Sequence, residues 1–218
     1  MADTKDRILD AAEALFADRG LSETSMRAIT RAAAVNLAAV NYHFGSKDAL
    51  IQAVFARRAE ALNSRRLEAL AGSRACGGLD LEAVLDAYIR PALEMARDEK
   101  AARYIRLLGR AYTDPNSRAG QFLPRQYDAA LEAFKPEFSR QLPQIDKTEL
   151  YWRLHFLIGS LVYCMAGLDM MRLSSSCYLC DPADTEGMIR RLVAFVAAGM
   201  RAEAASAAQP PTQPAVTG

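Results

Sequence analysis

The chain reads as an all-α protein, and three observations predict it. Apolar residues recur at helical spacing along nearly all of the 218 residues, no segment alternates with period two over a useful length, and helix start and stop residues punctuate the pattern. The N-terminal part reads as three short helices feeding a long fourth one.

The first helix is expected from about Lys5 to Arg19. Ile8, Ala12, Leu15 and Phe16 form one apolar stripe, Thr4 stands as N-cap, and Gly20 is a left-handed stop. Thr24 or Ser25 caps a second helix through about Ala32, with Met26 and Ile29 inward. Ala34-Val35-Asn36 is a tight turn, and Asn36 caps a third helix, Leu37–Phe44, whose Val40 and Phe44 face inward. Gly45 ends it, and Ser46 caps a long fourth helix with an apolar face through Leu50, Val54 and Leu62. Residues 71–78, rich in small residues, read as a loop. Asp80 caps a helix over about 81–97, bent near Pro91. Further helices are expected over about 99–112 and 122–141, the latter disturbed by Pro136. Asp146-Lys147-Thr148-Glu149 reads as a capping box opening a helix to about Arg172. Pro182 precedes a last helix to about Ala205. The Ala, Gln, Pro and Thr residues beyond it cannot form a core, so disorder is expected there. The organisation predicted is 1–48, 49–205 and a tail, 206–218.

Bulk composition excludes more than it identifies. Hydrophobic residues make up 51% and charged residues 24%, as in soluble globular chains. No apolar run approaches the roughly 20 residues of a membrane span, and the N-terminus lacks the apolar stretch of a secretory signal. A cytoplasmic protein with reduced cysteines is expected. Net charge is +1, which says nothing about nucleic acid. Its distribution says a little: residues 24–47 hold Arg27, Arg31 and Lys47 and no acid. No Gly-rich phosphate loop or GxSxG elbow is present, and two histidines make a triad hard to build. No enzymatic activity, cofactor or metal is expected.

The second and third helices have helix-turn-helix proportions. A DNA-reading helix is short, braced from behind by apolar residues, and narrow on the face it offers the major groove. Val40 and Phe44 supply the brace, while Ala38 and Ala39 are small enough to let the backbone approach; Leu37 is also expected at the DNA. Asn41 offers a donor and an acceptor to a base edge. Tyr42, His43, Lys47 and the free N–H groups of the following helix suit phosphate, as do Thr24, Ser25, Arg27 and Asn36 nearby. Taken singly, Tyr42 and His43 read equally well as packing residues.

Residues 33–50, AAVNLAAVNYHFGSKDAL, with Gly20 and Thr24 before them, resemble the N-terminal domain of TetR-type repressors over about residues 5–55. Two departures stand out. Ala34 replaces the usual turn glycine, which requires its φ to stay negative, and Asn41 replaces a frequent tyrosine. The resemblance implies a two-domain homodimer that binds palindromic double-stranded operator DNA, and an effector that releases it. It also implies dimerisation through the last two long helices. Small residues agree with that independently: Gly159, Ser160, Ala166 and Gly167 in one, Ala194, Ala197, Ala198 and Gly199 beside Phe195 in the other. A purely internal core helix would carry the same small residues.

Within the family the chain resembles PsrA-type regulators that respond to long-chain fatty acids, through Arg106-Leu107-Leu108-Gly109, Trp152–Phe156 and Phe195–Glu203. A fatty acid or acyl-CoA effector implies an apolar tunnel with a cation at its mouth. Leu107, Leu108, Tyr112, Phe156, Ile158 and Tyr163 are the expected lining, with Arg103, Arg106 or His155 at the mouth; the same residues also read as plain core. Cys177 and Cys180 raise a thiol or metal sensor as the alternative, but no second pair of ligands completes a zinc site. A helical adaptor that binds no DNA is the other alternative, and it leaves the Thr24, Arg27, Asn41, Tyr42, Lys47 grouping without a reason.

Overall fold

The computed structural model describes residues 3–75, 78–95, 104, 107–108, 119–165 and 184–204, with side chains from residue 130 onward in the segment that starts at 119. Among these residues there are helices and turns and no strands. The helices are α1 (Thr4–Arg19), α2 (Met26–Ala33), α3 (Leu37–Phe44), α4 (Lys47–Ala75), α5 (Leu81–Met95), α6 (Ala119–Gln141), α7 (Lys147–Met165) and α8 (Thr185–Arg201). No described helix is long and apolar enough to cross a membrane.

Helices α1 to α3 pack on one another and on the first half of α4. Ile8, Ala12, Phe16, Ile29, Val40, Leu50 and Val54 are buried there. The caps follow from the residues. Ser25 accepts from the Ala28 N–H, Asn36 from Ala39 and Ser46 from Ala49, each satisfying a donor that a helix start leaves open. Thr4 is not the first cap; it lies inside α1, and Asp3 precedes it without a side-chain cap bond. Gly20 has φ 88° with ψ 164°, so it ends α1 in a glycine conformation other than the left-handed helical one.

Ala34 departs most from expectation. Its φ is 51° and its ψ 48°, a left-handed alanine rather than one with negative φ. The turn around it explains this. The Ala34 N–H bonds back to α2 at the Arg31 carbonyl, the Val35 N–H reaches the Thr30 carbonyl, and the Arg7 guanidinium grips the Ala33 and Ala34 carbonyls at 2.6 and 3.0 Å. Four hydrogen bonds hold a conformation that costs an L-residue about 1–2 kcal/mol. Ala34→Gly removes that cost but frees the unfolded chain, so a net gain of about 0.5–1 kcal/mol is expected in urea unfolding. An unchanged or lower midpoint would contradict it.

In the remainder, α4 runs unbroken through Ser73 to Ala75, where a loop was expected, because Leu70 is buried and Arg74 pairs with the buried Glu137 of α6. Cys76 and Gly77 lie outside the described residues. Asp80 caps α5 through the Ala83 N–H, and α5 continues past the buried Pro91. Likewise α6 continues past Pro136. Asp146 accepts from Thr148 and Glu149, the first half of the expected capping box; the Glu149 carboxylate turns instead to Arg153. Asp184 caps α8, and the helix stops at Arg201 rather than near Ala205. The expected helix over 99–112, the loop 174–181, Pro182 and the tail fall mostly or wholly outside the described residues; Tyr104, Leu107 and Leu108 are helical and buried.

Candidate nucleic-acid interface and a second exposed face

Large apolar side chains that stand together in solvent mark candidate interaction surfaces. Apart from Leu67 on α4, those among the described residues fall in two places. One is the outer face of α3, with Leu37 and Tyr42. The other is the outer face of α7 and α8, with Tyr151, Trp152, Phe156, Tyr163 and Phe195.

On α3, Val40 is buried and Phe44 half-buried against the core, which leaves Ala38, Asn41, Tyr42 and His43 exposed. Tyr42 is 86% exposed and stands edge-on to His43, ring centroids 5.2 Å apart. Ala39 is half-buried. Ser25, Arg27, Asn36 and Leu37 are exposed at the starts of α2 and α3, and the Ser25 and Asn36 side chains are already used as caps. Leu37, Ala38, Asn41 and Tyr42 therefore form a narrow surface with no carboxylate on α2 or α3.

Two expected phosphate groups are placed differently. Thr24 is 1% exposed, and its hydroxyl points at the carbonyls of Gly20 (2.8 Å) and Leu15 (3.1 Å). The side chain closes the turn after α1 and is not on the surface. Lys47 is half-buried and its Nζ donates to the Ser22 carbonyl at 3.1 Å, so it ties the start of α4 to the α1–α2 turn. Arg7 was not singled out from the sequence, yet it braces the turn between α2 and α3. Nothing local marks it: its partners lie 26 and 27 residues away.

The residues expected to line an effector tunnel divide between exposed and buried positions. Among the described residues His155, Phe156 and Tyr163 are exposed on the outer face of α7, and Ile158 is half-buried. Leu107 and Leu108 are buried. Arg103, Arg106, Tyr112, Ala166, Cys177 and Cys180 lie outside the described residues. The stripe Trp152, His155, Phe156, Gly159, Tyr163 is joined by Phe195 and Gly199 of α8, all exposed. A Cβ added at Gly159 or Gly199 would meet nothing within 4 Å, so no neighbour inside the subunit requires glycine at either position.

Polar ties hold α8 in place beside α5 and α7. Arg90 of α5 bridges Asp86 and Glu186, whose hydrogen bonds push its guanidinium further toward the charged form. Arg201 holds the Glu82 carboxyl below its ordinary range. Near these pairs an open groove of about 590 Å³ is lined by Ala83, Val193 and Ala194 together with Glu82, Asp86, Arg190 and Arg201. Cys164 is half-buried, and burial pushes its thiol up, away from the reactive thiolate. No cluster of metal-ligating side chains occurs among the described residues.

Known proteins share this arrangement. Residues 8–54 match the family model described as bacterial regulatory proteins of the tetR family, and residues 86–199 match the tetracyclin repressor-like C-terminal domain. The HTH-type transcriptional regulator UidR of Escherichia coli (strain K12) is 38% identical over 69 residues, 32% of this chain and 35% of UidR; the match thus spans about a third of that relative. The fatty acid degradation regulator FadR from Bacillus halodurans has a TM-score of 0.67 at 16% identity, covering 92% of this chain and 98% of its own. FadR from Bacillus subtilis, solved in complex with stearoyl-CoA, has a TM-score of 0.63 at 15% identity, covering 89% and 98%. At such identities the likeness is one of fold. The family models reach from the helix-turn-helix to α8 and cover more than half of the residues, and on that ground the chain belongs to the TetR family of transcriptional regulators.

Proposed function

We propose that this protein is a cytoplasmic, homodimeric repressor that binds palindromic operator DNA through α3 and leaves it when a fatty acid or acyl-CoA binds. The observation that carries the DNA reading is the outer face of α3. A helix braced by Val40 from behind exposes Ala38, Asn41 and Tyr42 with no carboxylate beside them, the shape and charge a major groove accepts. The head, residues 1–48, then reads DNA, and 49–205 carries effector and dimer functions.

The α7/α8 stripe supports the dimer. A twofold interface sets one patch against its own copy, so a neutral, apolar patch suits itself where a charged one would repel. Trp152, Phe156, Tyr163 and Phe195 supply area, and Gly159 and Gly199 admit a close backbone. Two heads would then meet half-sites about one helical turn, roughly 34 Å, apart.

The acyl effector rests on the two FadR structures with the same fold, one of them holding stearoyl-CoA. In this chain the interior between α4, α5 and α6 carries Phe55, Tyr88, Tyr104, Phe134 and Phe138, and these replace Phe156 and Tyr163 as candidate lining. Effector and operator must weaken each other by the same factor. Oleoyl-CoA titrated against dimer and dimer–operator complex tests this; equal affinities would sink the effector reading.

DNA binding is tested by gel shift with random-sequence duplex at rising salt, followed by selection of the bound sequences. Affinity is expected to fall steeply with salt; no retardation at low ionic strength would refute the reading. On the selected operator, Asn41→Ala is expected to cost about 1–3 kcal/mol at one base pair and to relax preference there alone. A uniform loss over all positions would remove Asn41 from base readout.

A further inference from the structure

We propose that Glu13 sets the angle of the reading head on α4, and through it the half-site spacing that the dimer accepts. The inference rests on the reading that α3 enters DNA.

Glu13 is charged, on α1, and only 4% exposed. Both its oxygens are taken by consecutive arginines of α4. Arg58 forks onto it, Nε 2.8 Å from Oε2 and Nη2 2.8 Å from Oε1, and Arg57 Nη2 reaches Oε2 at 3.0 Å. Arg57 also holds Asp10 through Nη1 at 2.8 Å. These arginines are the first charged residues of α4 after Asp48, at the point where the helix leaves the head. Helices α1 to α3 move as α1 moves, because the Arg7 grip and the Ile8–Phe16 core join them.

A forked guanidinium–carboxylate pair fixes direction as well as distance, since both groups are planar and the two bonds are parallel. Leucines would hold α1 against α4 as tightly without fixing its orientation. The junction is also not optimal for stability alone: the buried Arg57 Nε has no hydrogen-bond partner among the described residues. A head whose tilt is fixed discriminates spacing, because one base pair more moves a half-site by about 3.4 Å and turns it by about 35°.

The test uses the operator selected by the full-length wild-type protein, variants of it with one base pair added to or removed from the spacer, and a single half-site. Wild type is expected to lose about tenfold in affinity on a one-base-pair change, within the range of coupled contacts. Glu13→Gln is expected to lose less than about threefold, with half-site affinity unchanged. Arg58→Lys keeps the carboxylate neutralised but cannot fork; it is expected to relax spacing in the same direction and guards against a Glu13→Gln protein that does not fold. Either variant keeping the full wild-type penalty overturns the proposal. So does an equal loss on half-site and full operators, which would make Glu13 part of the head's own stability. Wild type binding no DNA at all would instead refute the reading underneath.

Discussion

Phe156→Asp is expected to turn the dimer into monomers at micromolar concentration. Phe156 stands 62% exposed in the middle of the α7 stripe, stacked at 6.1 Å on Trp152. Burying one phenylalanine contributes about 1.5–3 kcal/mol, and twofold symmetry counts it twice. The loss is then about 3–6 kcal/mol before the cost of two desolvated carboxylates, or two to four orders of magnitude in the dimer Kd. In the isolated subunit the change lies on the surface, so helicity should hold. Sedimentation equilibrium reads the outcome, and wild-type association by the variant would remove α7 from the interface. Gly159→Leu gives a test of opposite sign. Helix propensity alone makes it stabilising, by up to about 1 kcal/mol, and its Cβ meets nothing within 4 Å inside the subunit. A close-packed partner makes it disruptive. Weaker association from a better helix former is what an intersubunit contact produces and an intrasubunit one does not. If the proposed pairing of two heads is lost in this way, operator affinity is expected to fall toward that of a half-site.

The head was largely legible in the sequence because its signals are local. Ser25, Asn36 and Ser46 each cap the helix that follows by accepting from the N–H three residues ahead, and Val40 and Phe44 lie one turn apart. What escaped depends on residues distant in the chain. Ala34 was expected at negative φ because an alanine there is cheaper so, but Arg7 and the α2 carbonyls outweigh that preference. Thr24 and Ser25 are equivalent as caps in sequence, and the Gly20 and Leu15 carbonyls draw the Thr24 hydroxyl inward. Glu13 could not be paired from the sequence with arginines 44 and 45 residues away. In α7 the difficulty is different. Leu150, Leu154, Leu157 and Leu161 make one apolar stripe and Trp152, Phe156 and Tyr163 another. Periodicity cannot tell which meets the subunit's own core, so Phe156 and Tyr163 of the aromatic stripe read as lining of an interior tunnel. The Gly72-Ser73 end of α4 reads as loop by propensity, yet the burial of Leu70 and the Arg74–Glu137 pair hold it helical.

Arg153→Leu is expected to destabilise the fold by about 3 kcal/mol, a Tm lower by roughly 6–12 °C for a chain of this size. Arg153 is 6% exposed between α7 and α8. Its Nε donates to Glu149 at 2.7 Å, and its Nη1 reaches the carbonyls of Gly199 and Met200. Those carbonyls belong to the last turn of α8, which has no N–H ahead to serve them. Leucine conserves much of the volume, so the loss measures polar groups left buried and unpaired, not a cavity. The Glu149 side chain is a quarter exposed and can turn to water, which keeps the figure at the low end for a broken buried pair. Arg153→Lys should recover less than half, because one ammonium on a flexible stem cannot serve Glu149 and two carbonyls together. Melts must be compared at equal protomer concentration, since dimerisation adds to apparent stability. A variant within about 0.5 kcal/mol of wild type would mean that water replaces the guanidinium at the α8 end, which amide exchange faster at 197–201 than over the rest of α8 would reveal. The arginine that caps α8 also fixes the relative position of Phe156 and Phe195, one on each helix. Its loss should therefore weaken the dimer more than its distance from the exposed stripe implies, and the double variant with Phe156→Asp should fall short of the sum of the two losses in association.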